Sequence, residues 1–74
     1  MTSQGPLTPR VDTLTAADLE LLAVLAEGRS RVAAARLLST SPRTVSRRLD
    51  AMLRTSGASN VTHLIATAVR AGLV

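Results

Sequence analysis

The chain has 74 residues, and among them are no cysteine, no phenylalanine, no tyrosine and no tryptophan. Without cysteine there are no disulfide staples, no thiolate zinc sites and no thiol nucleophile. His63 is the single histidine, and one imidazole cannot assemble a metal site by itself, so neither metal nor cofactor is expected. Without aromatic rings there is no stacking platform for single-stranded bases, which excludes RRM-like and OB-like readers and leaves duplex nucleic acid open. No glycine-rich phosphate loop and no G-x-S-x-G elbow occurs, so the expectation is a protein that is not an enzyme. The apolar runs fall far short of the roughly 18 residues a membrane span requires. No charged-then-apolar leader opens the chain. The expected location is therefore the cytoplasm, with no membrane partner.

What is present is a small globular composition. Hydrophobic residues make up 46% and charged residues 19%, which is enough apolar surface to fold one domain around a thin core. Nine basic residues face five acidic ones, for a net charge of +4. Such a balance fits a polyanionic partner. All nine are arginine, whose planar fork grips phosphate or guanine in a bidentate way that a lysine ammonium does not.

Residues 1–13 carry Gly5, Pro6 and Pro9 among Thr, Ser and Gln, without an apolar period, and read as a flexible tail or linker stub. Residues 14–74 read as an all-α domain of four helices, because nothing alternates with the period of two of a half-buried strand. Thr15 with Asp18 forms a capping signal for the first helix, Leu14 and Leu19 sit at staple positions, and Leu19, Leu22, Leu25 and Ala26 repeat on its inner face until Gly28. Ser30 caps a short second helix with Ala34, Ala35 and Leu38 inward and Arg31 and Arg36 outward. Ser41-Pro42 opens the third, running to about Thr55 before Gly57. Asn60 opens the fourth, with Val61, Leu64, Ile65 and Ala68 inward, Gly72 as its stop and Leu73 placed for an apolar C-cap contact.

The third helix, about 42–55, is the informative one. Val45, Leu49, Met52 and Leu53 form a buried stripe, and Arg43, Ser46, Arg47, Asp50 and Arg54 form the opposite face with Arg48 at its flank. An isolated stripe of this kind is usually a solvated surface. A brief helix and a short turn before it, however, give the helix-turn-helix layout, in which the second helix enters the major groove.

Residues 14–74 resemble a LuxR-type (FixJ- or GerE-type) DNA-binding domain. The family's opening L-T-x-x-E-L-E-V-L stands here as Leu14-Thr15-Ala16-Ala17-Asp18-Leu19-Glu20-Leu21-Leu22. Its A-x-G-x-S segment is Ala26-Glu27-Gly28-Arg29-Ser30, its S-x-x-T-V start of the recognition helix is Ser41-Pro42-Arg43-Thr44-Val45, and its terminal G-L-[IV] is Gly72-Leu73-Val74. Leu7-Thr8-Pro9-Arg10 imitates the opening without a helical period behind it. Three departures stand out: Arg31-Val32-Ala33-Ala34-Ala35 replaces N-K-E-I-A, Thr55-Ser56-Gly57-Ala58 replaces K-L-G-V, and Arg48 stands at a common histidine position. Ser56 thus puts a hydroxyl at a usual core site, where it is either buried and bonded or exposed by an early helix end, and Ser56→Leu is expected to stabilise if the pocket persists.

The resemblance implies a bacterial transcription regulator that binds specific double-stranded DNA sequences and works on the nucleoid. It implies base reading by Ser46, Arg47 and Asp50, with Arg47 suited to guanine O6/N7 and Asp50 to cytosine N4. Asp50 has the alternative of a plain helix pair with Arg54 or Arg47. Ser41, Arg43, Thr44, Arg48 and Arg54 are placed for phosphates, and each arginine has the alternative of a solvated side chain. Two other uses of the same layout remain open, a protein-interaction or dimerisation module and a sigma-factor region-four-like module, although the fourth helix and its Gly-Leu-Val ending argue against the latter. His63 reads as an exposed surface histidine. With Thr67 and Arg70 it forms the outer strip of the fourth helix, the candidate homodimer interface. One short helix buries far less than the roughly 1,200 Å² of a stable interface, so the chain is expected to be monomeric at micromolar concentration and to pair only on DNA. Sedimentation with and without a duplex of two half-sites checks this, and a tight dimer in free solution would contradict it.

Overall fold

The computed structural model describes residues 8–74. A 3-10 turn, Val11–Thr13, precedes four helices: α1 (Ala16–Ala26), α2 (Arg31–Leu37), α3 (Pro42–Ser56) and α4 (Val61–Arg70). No strand occurs among the described residues. The domain is all-α, as its sequence pattern requires.

Every helix starts where a side-chain cap allows it. Thr15 Oγ1 accepts from the Asp18 N–H at 3.1 Å while Asp18 Oδ2 accepts from the Thr15 N–H at 3.0 Å, a complete capping box. Ser30, Ser41 and Asn60 accept from the N–H groups of Ala33, Thr44 and His63 at the starts of α2, α3 and α4. Each such cap contributes about 1 kcal/mol by removing an orphan donor. Pro42 stands in the first turn of α3, where its missing N–H leaves no intrahelical bond unmade.

The buried core is Leu21, Leu22, Ala34, Ala35, Val45, Leu49, Met52, Leu64 and Ala68. The inner stripes of α2, α3 and α4 follow their apolar periods, with Leu38, Leu53, Val61 and Ile65 half-buried against that core. On α1 the face is different from the one its period gives: Leu21 is fully buried, Leu19 and Leu25 are half-buried, and Ala26 is exposed. Residues 21–26 are continuously apolar, so spacing alone selects no face, and α1 is contacted by α2, α3 and α4 together. At the end of α4, Leu73 remains 41% exposed. Val74, one residue on, packs half-buried against the core in its place.

The segment before α1 corrects the reading of residues 1–13 as a tail, as far as residues 8–13 are concerned; residues 1–7 lie outside the described residues. Pro9 is buried and Val11 packs against the core. The Arg10 N–H donates to the Ser56 carbonyl at 2.8 Å, and Thr13 Oγ1 donates to the Arg10 carbonyl at 2.7 Å. Ser56 ends α3, and the last carbonyls of a helix have no partner within it. The segment therefore supplies from outside what α3 cannot supply itself. An ordered piece of six residues is too short for any periodicity to reveal.

Ser56 is 1% exposed, and its Oγ accepts from the Ala58 N–H at 3.2 Å. It lies on the Val45, Leu49 and Met52 stripe at the continuing helical spacing. The hydroxyl at this core position is thus satisfied, and no buried side-chain N or O among the described residues lacks a partner. That reverses the expected benefit of a leucine. Ser56→Leu must fit three further carbon atoms into a closed site and displace the bond to Ala58, so it should lower stability by about 1–3 kcal/mol. A raised melting temperature in that variant would show room that the packing does not display.

The turn between α2 and α3 spans residues 38–41, and Ser39 in it adopts φ +56°. The Ser39 N–H reaches the Arg36 carbonyl at 3.3 Å, and the Thr40 N–H reaches the Ala35 carbonyl at 2.8 Å. This is a Schellman ending. The same pair of bonds closes α4, from Gly72 to Val69 and from Leu73 to Ala68, with glycine at φ +75°. A side chain in the left-handed region costs on the order of 1 kcal/mol that glycine avoids, partly offset by glycine's larger entropy in the unfolded chain. Ser39→Gly should therefore raise stability by about 0.5–1 kcal/mol, visible as a higher midpoint in thermal or urea unfolding.

Candidate nucleic-acid interface

Burial of the Val45, Leu49, Met52 and Ser56 stripe dictates the outward face of α3. Arg43, Arg47, Asp50 and Arg54 project there and are exposed. Thr44, Arg47, Arg48, Asp50, Ala51 and Arg54 line a shallow open depression of about 490 Å³ along that face. Ala51 matters by its smallness, since it leaves the groove between the long side chains unfilled.

Two ion pairs within 4.0 Å occur among the described residues, Arg29–Glu27 and Arg48–Asp18. Neither involves the centre of the α3 face. The helix pairing of Asp50 with Arg47 or Arg54 is thus not made, and Arg43, Arg47 and Arg54 keep their donors free of carboxylates. The three guanidiniums present a cationic strip of directional donors, interrupted by one carboxylate that only accepts.

The flanks of the strip are tied to the rest of the domain. Arg48 is half-buried, and its Nη2 stands 3.9 Å from Asp18 Oδ1 on α1. Asp18 spends its other oxygen on the α1 cap, so one carboxylate serves the start of α1 and the side of α3. On the other flank Arg31, the first residue of α2, donates from Nη1 to Ser46 Oγ at 3.0 Å. Ser46 is half-buried. At the start of α3, Ser41 Oγ donates to Thr44 Oγ1 at 3.0 Å and accepts the Thr44 N–H at 3.1 Å, which makes these two hydroxyls part of the cap before they meet any ligand.

No protein-family model, no curated protein and no solved structure matches this chain. The candidate interface therefore rests on this chain's own residues and geometry.

The three candidate residues of α4 sit together but are not fully open. His63 and Thr67 are half-buried and Arg70 is exposed. They share a shallow depression with Thr8, Pro9 and Val11. His63 is less exposed than a surface histidine should be: its Nδ1 accepts from the Ser59 N–H at 3.4 Å, and its carbonyl accepts from Thr67 Oγ1 at 2.9 Å. The Ser59 bond holds the ring against the start of its own helix, and the segment ahead of α1 lines the same depression.

Arg31 is the functional candidate that sequence reasoning missed. Its position after the Ser30 cap marked it only as outward-facing, and the proximity of Ser46, fifteen residues on, is a product of the α2–α3 packing. No group of three or more metal-ligating side chains gathers among the described residues. None of the described helices is long and apolar enough to cross a membrane.

Proposed function

We propose that this protein binds duplex DNA sequence-specifically and acts in transcriptional regulation, with α3 lying in the major groove. The observation that carries the reading is the exposed row Arg43, Arg47 and Arg54, unpaired among the described residues, on a helix whose opposite stripe is locked into the core. Here Asp50 lies at helical spacing from two arginines and pairs with neither. The short α2 and the turn at 38–41 complete a helix-turn-helix layout. The resemblance to LuxR-type domains supports the same assignment, including cytoplasmic work on the nucleoid.

In this reading Arg47 reaches guanine O6/N7, Asp50 accepts from cytosine N4, and Ser46 contacts an adjacent base edge. Arg43 and Arg54, with Ser41 and Thr44 at the helix start, meet phosphates. Arg48 contributes charge at the flank while Asp18 holds it. Two copies on paired half-sites supply the site length that one helix lacks, and the outer strip of α4 with residues 8–11 beside it is the surface for that pairing.

A second reading, an interaction module, is favoured by one observation: Val32 and Leu37 on α2 are each 54% exposed. Salt separates the two. A DNA footprint of about three to five phosphate contacts gives a logarithmic affinity that falls with logarithmic salt at a slope of about −2.7 to −4.5, because each neutralised phosphate releases counterion. Arg47→Ala should cost about 1–3 kcal/mol and relax the preference at one base position, whereas Arg54→Ala should weaken all duplexes alike and flatten the slope by about 1. Fluorescence anisotropy on a selected duplex library measures both. Salt-independent binding, or no affinity for any duplex, would favour the interaction module.

A further inference from the structure

Arg31 is exposed at the first position of α2, and no carboxylate among the described residues lies within ion-pairing distance of it. It nevertheless has a defined place, because its Nη1 donates to Ser46 Oγ across the α2–α3 contact at 3.0 Å. A guanidinium is a rigid fork of N–H donors, and one bond to a hydroxyl leaves most of them free. A serine hydroxyl has one proton and two lone pairs. With Arg31 occupying a lone pair, the hydroxyl proton of Ser46 is left to donate elsewhere, and Ser46 stands on the flank of the unpaired arginine strip.

We propose that Arg31 belongs to the nucleic-acid interface from outside the recognition helix, taking one backbone phosphate with its free donors and holding Ser46 as a hydrogen-bond donor to an acceptor on a base edge. This rests on the DNA-binding reading above. The geometry fits it, because the first helix of such a pair crosses the backbone while the second enters the groove, and Arg31 bridges the two. The acceptor class is guanine O6 or N7, adenine N7 or thymine O4.

The test uses the full chain and four variants, with affinity measured across a salt series and base preference measured by selection from a randomised duplex library. Arg31→Ala should weaken binding about 3- to 10-fold and reduce the salt slope by about 0.9, the loss of one phosphate contact. Arg31→Lys should restore the slope, since it keeps the charge, but should leave relaxed the base position that Ser46→Ala also relaxes, since a lysine lacks the fork that spans hydroxyl and phosphate together. Ser46→Ala should keep the slope. Arg36→Ala, exposed near the other end of α2, removes the same charge and should leave slope and preference unchanged. An equal loss of slope in Arg36→Ala and Arg31→Ala would reduce the effect to net charge and overturn the proposal. Full recovery of base preference in Arg31→Lys would overturn the role on Ser46. Failure of the unaltered chain to bind any duplex defeats the DNA-binding reading itself, and this proposal with it, whereas normal DNA binding in Arg31→Ala defeats this proposal alone. Because Arg31 is exposed, thermal unfolding should be little altered in its variants, and the Ser46→Ala arm reads the same base position without touching the arginine.

Discussion

Close packing of α2 on α3 is the contact on which the rest of the molecule depends. A chain with no aromatic residues must build its core from aliphatic side chains, and at this size it cannot bury much surface whatever it chooses. The remedy is proximity. Ala34 and Ala35 are fully buried, and because an alanine face projects little, the α3 stripe of Val45, Leu49 and Met52 can come close enough to exclude water. The same closeness brings Arg31 to Ser46, and it sets the outward angle of the arginines on α3. A larger residue at either alanine would push α3 outward and shift the whole strip.

Much of this was readable beforehand because it is local chemistry. Thr15 with Asp18, Ser30, Ser41-Pro42 and Asn60 each announce a helix start through a bond that spans three residues, and the observed caps are those residues. The two stripes of α3 are equally local, since helical geometry alone puts Arg47 opposite Leu49. What escaped is whatever needs the tertiary arrangement. Leu21 is buried because α1 is surrounded, and a run of apolar residues carries no sign of that. Pro9 and Val11 pack inward with the Arg10 N–H between them bonded to the Ser56 carbonyl at the end of α3. Ser56 accepts a buried place because the turn at Ala58 supplies an N–H. The Arg31–Ser46 bond joins residues whose types reveal nothing about each other.

Ser39 and Ser56 are related compromises at the C-terminal ends of α2 and α3. Ser39 holds a left-handed conformation that suits glycine, and Ser56 places a hydroxyl where an aliphatic side chain is the ordinary choice. Neither leaves a polar group unsatisfied. Both therefore act on stability by modest amounts and leave the outer face of α3 where it is, so stability can be altered without moving that face.

That separation extends across α3 itself. Its inner stripe is fixed by burial, and its flanks are held by Asp18 on one side and Arg31 on the other. The central strip is fixed by neither, and its long side chains remain free to adjust to a ligand. An exposed ion pair stabilises a fold by at most about 1 kcal/mol, so pairing Arg47 or Arg54 internally would add little to the fold while occupying donors that a phosphate or a guanine edge engages in a bidentate way. The braces lie where rigidity positions the helix, and the unpaired charge lies where contact would be made. Asp50 is the exception that sharpens the pattern: a carboxylate in that strip weakens attraction to any polyanion, and in the proposed DNA-binding reading it would add in return a preference for an amine edge over an acceptor edge.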